Sequence, residues 1–250
     1  MALFKSGNPV LKQNVFDGYP QVTDEAEVMT IQGTVNKTGF LLFTLIIPAL
    51  YIWNLFNQTM EFDSIAPYFF TGIVGGLVTG IIISFNKQLS PYLAIIYAAF
   101  EGLAIGGVSA LLEFKYPGIV IQSLILTFSI FLCLLVIYKL EIIKATENFK
   151  LIVASATSGV AIYYLICFGL SFFGIRAPLI NDNSMSGIVF SLIVIVIAAM
   201  NLVVDFDFIE QGAAKRVPKY MEWYGAFGLM VTLIWLYLEI IRLLAKSRRK

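Results

Sequence analysis

Three carboxylates stand at the end of an apolar run in the stretch NLVVDFDFIEQG, residues 201–212: Asp205, Asp207 and Glu210. Two more acids lie inside apolar runs of their own, Glu101 in AAFEGLAIGG and Glu239 in LIWLYLEIIRLL. A carboxyl in such surroundings either keeps a proton and hydrogen-bonds a neighbour, or ionises and offers oxygens to a cation. Proton and cation binding are therefore the chemistry to weigh. The chain has 0 His, which removes Ser-His-Asp hydrolases, Cys-His proteases and His-ligated zinc sites together. The Ser and Thr residues of the apolar runs show no partnered base, so no enzyme and no cofactor is expected.

Each acid also has a bland reading. Glu101 is eleventh of the 22 residues in Pro91–Leu112; a buried neutral carboxyl and a cation or proton site weigh about equally there. Asp205 and Asp207 could mark no more than a segment end reaching water. Glu239 lies three residues before Arg242, the spacing of a surface salt bridge on a helix.

The elements that must carry these residues follow from composition. The 250 residues are 59% hydrophobic and 13% charged, where soluble domains carry about a quarter charged residues. Lys+Arg (17) and Asp+Glu (16) nearly cancel, so no basic field points to nucleic acid. A helix needs about 20 apolar residues to cross a bilayer, and seven stretches approach that length: Gly39–Phe56, Ile65–Phe85, Pro91–Leu112, Gly118–Leu140, Leu151–Ile175, Met185–Phe206 and Tyr224–Ala245. None alternates apolar with polar residues, as membrane strands do. An all-α integral membrane protein is expected: a polar arm over 1–38, a membrane domain over 39–245 and a basic tail over 246–250. The arm shows no signal peptide; NPVLKQNVF within it reads as disordered chain or a short amphipathic patch.

Charge predicts orientation. The loops after the second, fourth and sixth segments carry Lys87, then Lys139, Lys144 and Lys150, then Lys215, Arg216 and Lys219, while the loop after the first has Glu61 and Asp63. Basic loops favour the cytoplasm, which places the amino terminus inside. The tail RLLAKSRRK breaks the pattern. Either the last segment crosses regardless, the reading its length favours, or it re-enters. Gly72, Gly76 and Gly80, and Gly102 and Gly106, form small-residue ridges for close helix packing. Trp53 and Trp223 fall near segment ends, where an interfacial belt belongs. Cys133 and Cys167 read as two buried thiols.

The midpoint of positions 205 and 239 is 222. With a turn between Val217 and Gly225, each acid lies some 17 residues from it, about 25 Å of helix. Asp205 and Glu239 would then face each other across an antiparallel pair. Two carboxyls so close would share one proton, or form an oxygen-rich cation site once both ionise.

Four stretches resemble the Bax inhibitor-1 family, the transmembrane Bax inhibitor motif proteins, in its bacterial branch with a polar amino-terminal arm: MTIQGTVNKTGFLL, PYLAIIYAAFEGLAIGG, LVVDFDFIEQG and YMEWYGAFGLMVTLIWLYLEIIRLL. Glu101 and Gly102 match the third-helix Glu-Gly signature. DFDFI matches the sixth-helix Asp-Thr-Gln-x-Ile pattern at Asp205 and Ile209 only, and LYLE carries Glu239 where the family has aspartate. The resemblance implies seven helices with the last central, wrapped by the other six, and a carboxylate pair gating a pH-sensitive calcium leak.

The leading expectation is thus a calcium-permeable leak of the bacterial inner membrane, with Asp205 and Glu239 as gate and Glu101 and Asp207 along the ion pathway. The alternative is a regulator without transport that binds a membrane protein such as a membrane protease. A proton-coupled transporter ranks last, for want of an internal repeat.

Overall fold

The computed structural model describes residues 27–174 and 184–248. The stretch NPVLKQNVF and the rest of the arm before residue 27 lie outside the described residues.

Among the described residues are seven helices: α1 (Ile31–Thr59), α2 (Phe62–Phe85), α3 (Ser90–Lys115), α4 (Ile119–Lys139), α5 (Glu147–Ser171), α6 (Met185–Ala214) and α7 (Met221–Arg248). All seven are long and apolar enough to cross a membrane. The chain is an all-α, multi-pass membrane protein. Its outward surface is built of residues such as Phe43, Leu50, Leu77, Leu132 and Leu165, each more than half exposed, as a surface facing lipid requires.

Local chemistry sets where the helices begin. Thr30 caps α1, its hydroxyl accepting from the Gly33 amide at 2.9 Å, so α1 starts eight residues ahead of the expected segment and takes in the last part of the polar stretch. Thr146 caps α5 through the Phe149 amide at 3.3 Å. Gly118, at φ +81°, enters α4 in the left-handed region. Glu113 reaches back from α3 to accept from the amides of Gly118 (2.6 Å) and Val120 (3.0 Å). A carboxylate there satisfies orphan donors and complements the helix dipole.

The glycine ridges set how α1, α2 and α3 pack. A Cβ on Gly106 would lie 2.7 Å from the Ala49 Cα and carbonyl oxygen, and one on Gly102 would collide with the Leu45 carbonyl. On the other side of α3, a Cβ on Gly72 would lie 2.6 Å from the Phe100 carbonyl oxygen. Three backbones thus approach within a distance only glycine allows.

The last helix is central. α7 packs against α1, α3, α4 and α6, while α2 joins through α3 and α1, and α5 chiefly through α6. Met230, Leu236 and Ile241 of α7 are fully enclosed. α7 is one continuous helix of 28 residues, so it does not double back as a re-entrant segment. Its terminal cations are engaged. Lys246 donates to the Gly187 carbonyl and the Ser191 hydroxyl, both at 2.9 Å, and Arg248 donates to the carbonyls of Tyr116 and Pro117 at 3.2 and 2.9 Å. Cys167 is buried, but Cys133 lies on the exposed face of α4, a correction to the expectation of two buried thiols.

Candidate functional site

Asp205 projects from α6 against Gly228 and Thr232 of α7. Its Oδ1 lies 3.8 Å from where a Gly228 Cβ would be, and the Thr232 hydroxyl beside it donates to the Gly228 carbonyl at 3.2 Å. Its Oδ2 is buried and has no hydrogen-bond partner among the described residues. Glu239 is 1% exposed. Its Oε1 accepts from the Tyr164 hydroxyl at 2.8 Å and from Arg242 Nη1 at 2.7 Å. Arg242 Nη1 also donates to the Tyr164 hydroxyl at 3.0 Å, with the guanidinium 5.5 Å from the centre of that ring. The other oxygen, Oε2, is buried without a partner among the described residues.

The two acids do not face each other, which corrects the expected pair. Asp205 meets α7 at residues 228–232, seven to eleven residues before Glu239, about 10–16 Å along the axis. The reason is the turn. α6 runs on to Ala214 and α7 begins at Met221, so the turn is centred between 217 and 218 rather than at 222. Each residue of displacement shifts the antiparallel register by two. Asp205 and Glu239 therefore cannot share one proton or jointly hold one calcium ion. Among the described residues no cluster of three or more His, Cys, Asp or Glu forms a metal site.

Asp207 and Glu210, further along α6, are tied at the bundle end. Lys150 of α5 donates to Asp207 at 2.7 Å, Gln211 donates to it at 2.6 Å, and the Tyr138 hydroxyl donates to Glu210. Glu101 lies elsewhere. Its carboxyl rests over Gly76, with Oε1 2.9 Å from the position of a Cβ there, on a cleft of about 590 Å³ between α2, α3 and α7.

The most enclosed acid not singled out from the sequence is Glu222, in the first turn of α7 and 1% exposed. It accepts from the Thr30 amide at 2.9 Å and the Thr30 hydroxyl at 2.8 Å, and is ion-paired with Lys37. The Lys37 ammonium also lies 5.4 Å from the Trp223 ring centre. A strap completes this end: the Met29 amide donates to the Val217 carbonyl and the Lys219 amide to the Glu27 carbonyl, both at 2.8 Å. The partners of Glu222 lie 185 and 192 residues away, so no local pattern flags it. Tyr164 did leave a signal: Lys150, Thr157 and Tyr164 recur every seven residues on α5, and each meets a polar partner, Asp207, Asn201 and Glu239 in turn.

No curated protein and no solved structure matches the chain. The sequence model of the family described as Bax inhibitor 1 like matches residues 8–249. With nearly its whole length so matched, and with seven membrane-length helices around a central α7, the chain belongs to the Bax inhibitor 1 like family.

Proposed function

We propose that the protein is a pH-sensitive cation leak of the bacterial inner membrane, with calcium as the permeating ion, and that it catalyses no reaction. The supporting observation is that Asp205 and Glu239 each keep one buried carboxyl oxygen without a hydrogen-bond partner among the described residues. Leaving a buried acceptor unsatisfied costs roughly 1–3 kcal/mol, more for a charged group. A proton or a passing cation relieves that cost. The two acids act as separate stations along α7, not as one gate. Protonation at low pH removes their attraction for a cation; ionisation restores it. Asp207, held by Lys150, stands at the mouth.

Orientation follows the basic end of the bundle, where Lys37 of α1, Lys150 of α5 and the turn before α7 come together. Basic ends favour the cytoplasm, which supports a cytoplasmic start of α1. The test is calcium uptake into liposomes holding the pure protein. Flux above that of empty liposomes, reduced about tenfold by Asp205→Asn or Glu239→Gln, is expected. Equal flux with and without protein overturns the reading.

A second reading, a regulator that docks on a membrane protein such as a protease, draws on the strap. Residues 27–29 are held at the turn before α7, a turn that carries Lys215, Arg216 and Lys219. Deleting residues 1–26 with loss of a bound partner and unchanged flux would favour it.

A further inference from the structure

The cleft between α2, α3 and α7 holds one carboxyl side chain, Glu101, in walls that are otherwise almost wholly apolar. Ile73 and Leu77 of α2, Ala104 and Ile105 of α3, and Val231 and Leu238 of α7 line it. Leu77 is 63% exposed on the outward surface, so the cleft opens where acyl chains lie. Tyr97 and Phe227 line the same space, packed edge to face with centroids 4.9 Å apart. Among the described residues no Lys or Arg forms a salt bridge with Glu101.

A carboxylate beside aromatic rings, in an apolar slot without a counter-cation of its own, is complementary to one ligand chemistry. An inorganic calcium ion needs six to eight oxygens, and this cleft supplies few: the Glu101 carboxyl and the hydroxyls of Tyr97 and Ser84. A neutral acyl chain would fill the walls but bring no positive charge to the carboxyl, whose neighbour in the cleft is the hydrogen-bonding Tyr97 hydroxyl. An alkyl ammonium answers both. Its headgroup makes a charge-assisted hydrogen bond with the carboxylate and meets the aromatic rings, and its hydrocarbon body packs against α2 and α7. We propose that this cleft is a binding site for lipophilic amines that enter from the bilayer, with Glu101 as the headgroup anchor. The site is separate from Asp205 and Glu239, and the inference does not depend on a cation leak.

The test is equilibrium binding of radiolabelled dodecylamine and dodecanol to the full chain in nanodiscs. Wild type is expected to hold dodecylamine about tenfold more tightly than dodecanol, the ratio of one charge-assisted contact. Glu101→Gln, which keeps the shape, is expected to bring the two within about twofold. Leu77→Trp, an outward substitution that narrows the mouth, is expected to weaken dodecylamine binding while the protein stays helical. Equal binding of the two probes by wild type means a neutral lipid slot and overturns the proposal, as does an unchanged preference in Glu101→Gln. Should Glu101→Gln fail to fold, undiminished amine binding by Leu77→Trp overturns it.

Discussion

Glu222 of α7 and Lys37 of α1 form an ion pair across 185 residues of chain, with the carboxylate almost wholly enclosed and the Thr30 amide and hydroxyl completing its shell. This clamp fixes the start of the first membrane helix to the start of the last. Removing one member of such a pair leaves the other without its counter-charge. Lys37→Met is expected to lower stability by about 3 kcal/mol. Thr30→Ala, which removes a helix cap and one hydrogen bond, is expected to lower it by about 1–2 kcal/mol. Thermal unfolding in detergent reads both, and an unchanged Tm for Lys37→Met would contradict the clamp.

Glycines on the helix faces should divide by what stands opposite them. Gly106→Ala places a methyl 2.7 Å from Ala49 backbone atoms, which cannot swing aside. It is expected to cost about 1–3 kcal/mol through separation of α1 and α3. Gly159 of α5 has nothing within 4 Å of an added Cβ, and Gly159→Ala is expected to leave stability unchanged or raise it by about 0.5–1 kcal/mol. Similar Tm changes for the two would sink this account of the packing.

Because Asp205 and Glu239 touch different partners, about 10–16 Å apart along α7, their effects on flux should be nearly independent. The logarithms of the losses in Asp205→Asn and Glu239→Gln are expected to add in the double variant, as for sites that share no contacts. A double variant no worse than either single one would restore the coupled pair.

Arg242 and Tyr164 both engage Glu239 Oε1. Arg242→Met strips the buried Glu239 carboxylate of its charge partner. The single variant is expected to unfold at a lower temperature than wild type, and Arg242→Met with Glu239→Gln, which leaves no unpaired charge, to recover most of that loss. Thermal unfolding in detergent reads both, and an equal Tm for the single and double variants would contradict the pairing.

Seven membrane helices were legible because each writes its own apolar run; the central place of α7 was legible through family resemblance. The glycine ridges were legible too, since Gly102 and Gly106 share a face by spacing alone. The register of α6 against α7 was not. It depends on where a few residues around Pro218 bend, and a turn misplaced by about four residues moves two facing acids by roughly 13 Å. Glu222 was hidden for another reason. Its identity as a buried acid depends on Thr30 and Lys37, which belonged to a stretch that read as a polar arm. The tail cations read as a break in the charge pattern, but the helix-turn carbonyls of Tyr116 and Pro117 hold Arg248, a pairing no composition rule registers.

The strap between residues 27–29 and the turn before α7 has a consequence for biogenesis. Chains fold from the amino end as they leave the ribosome, yet the hydrogen bonds from Met29 to Val217 and from Lys219 to Glu27 cannot form until translation has passed position 219. The first helix must therefore wait, inserted but unlatched, while some 190 residues are synthesised and threaded. The final helix then slots into a half-built bundle and latches it, so a message truncated before that point yields a set of membrane segments with no keystone.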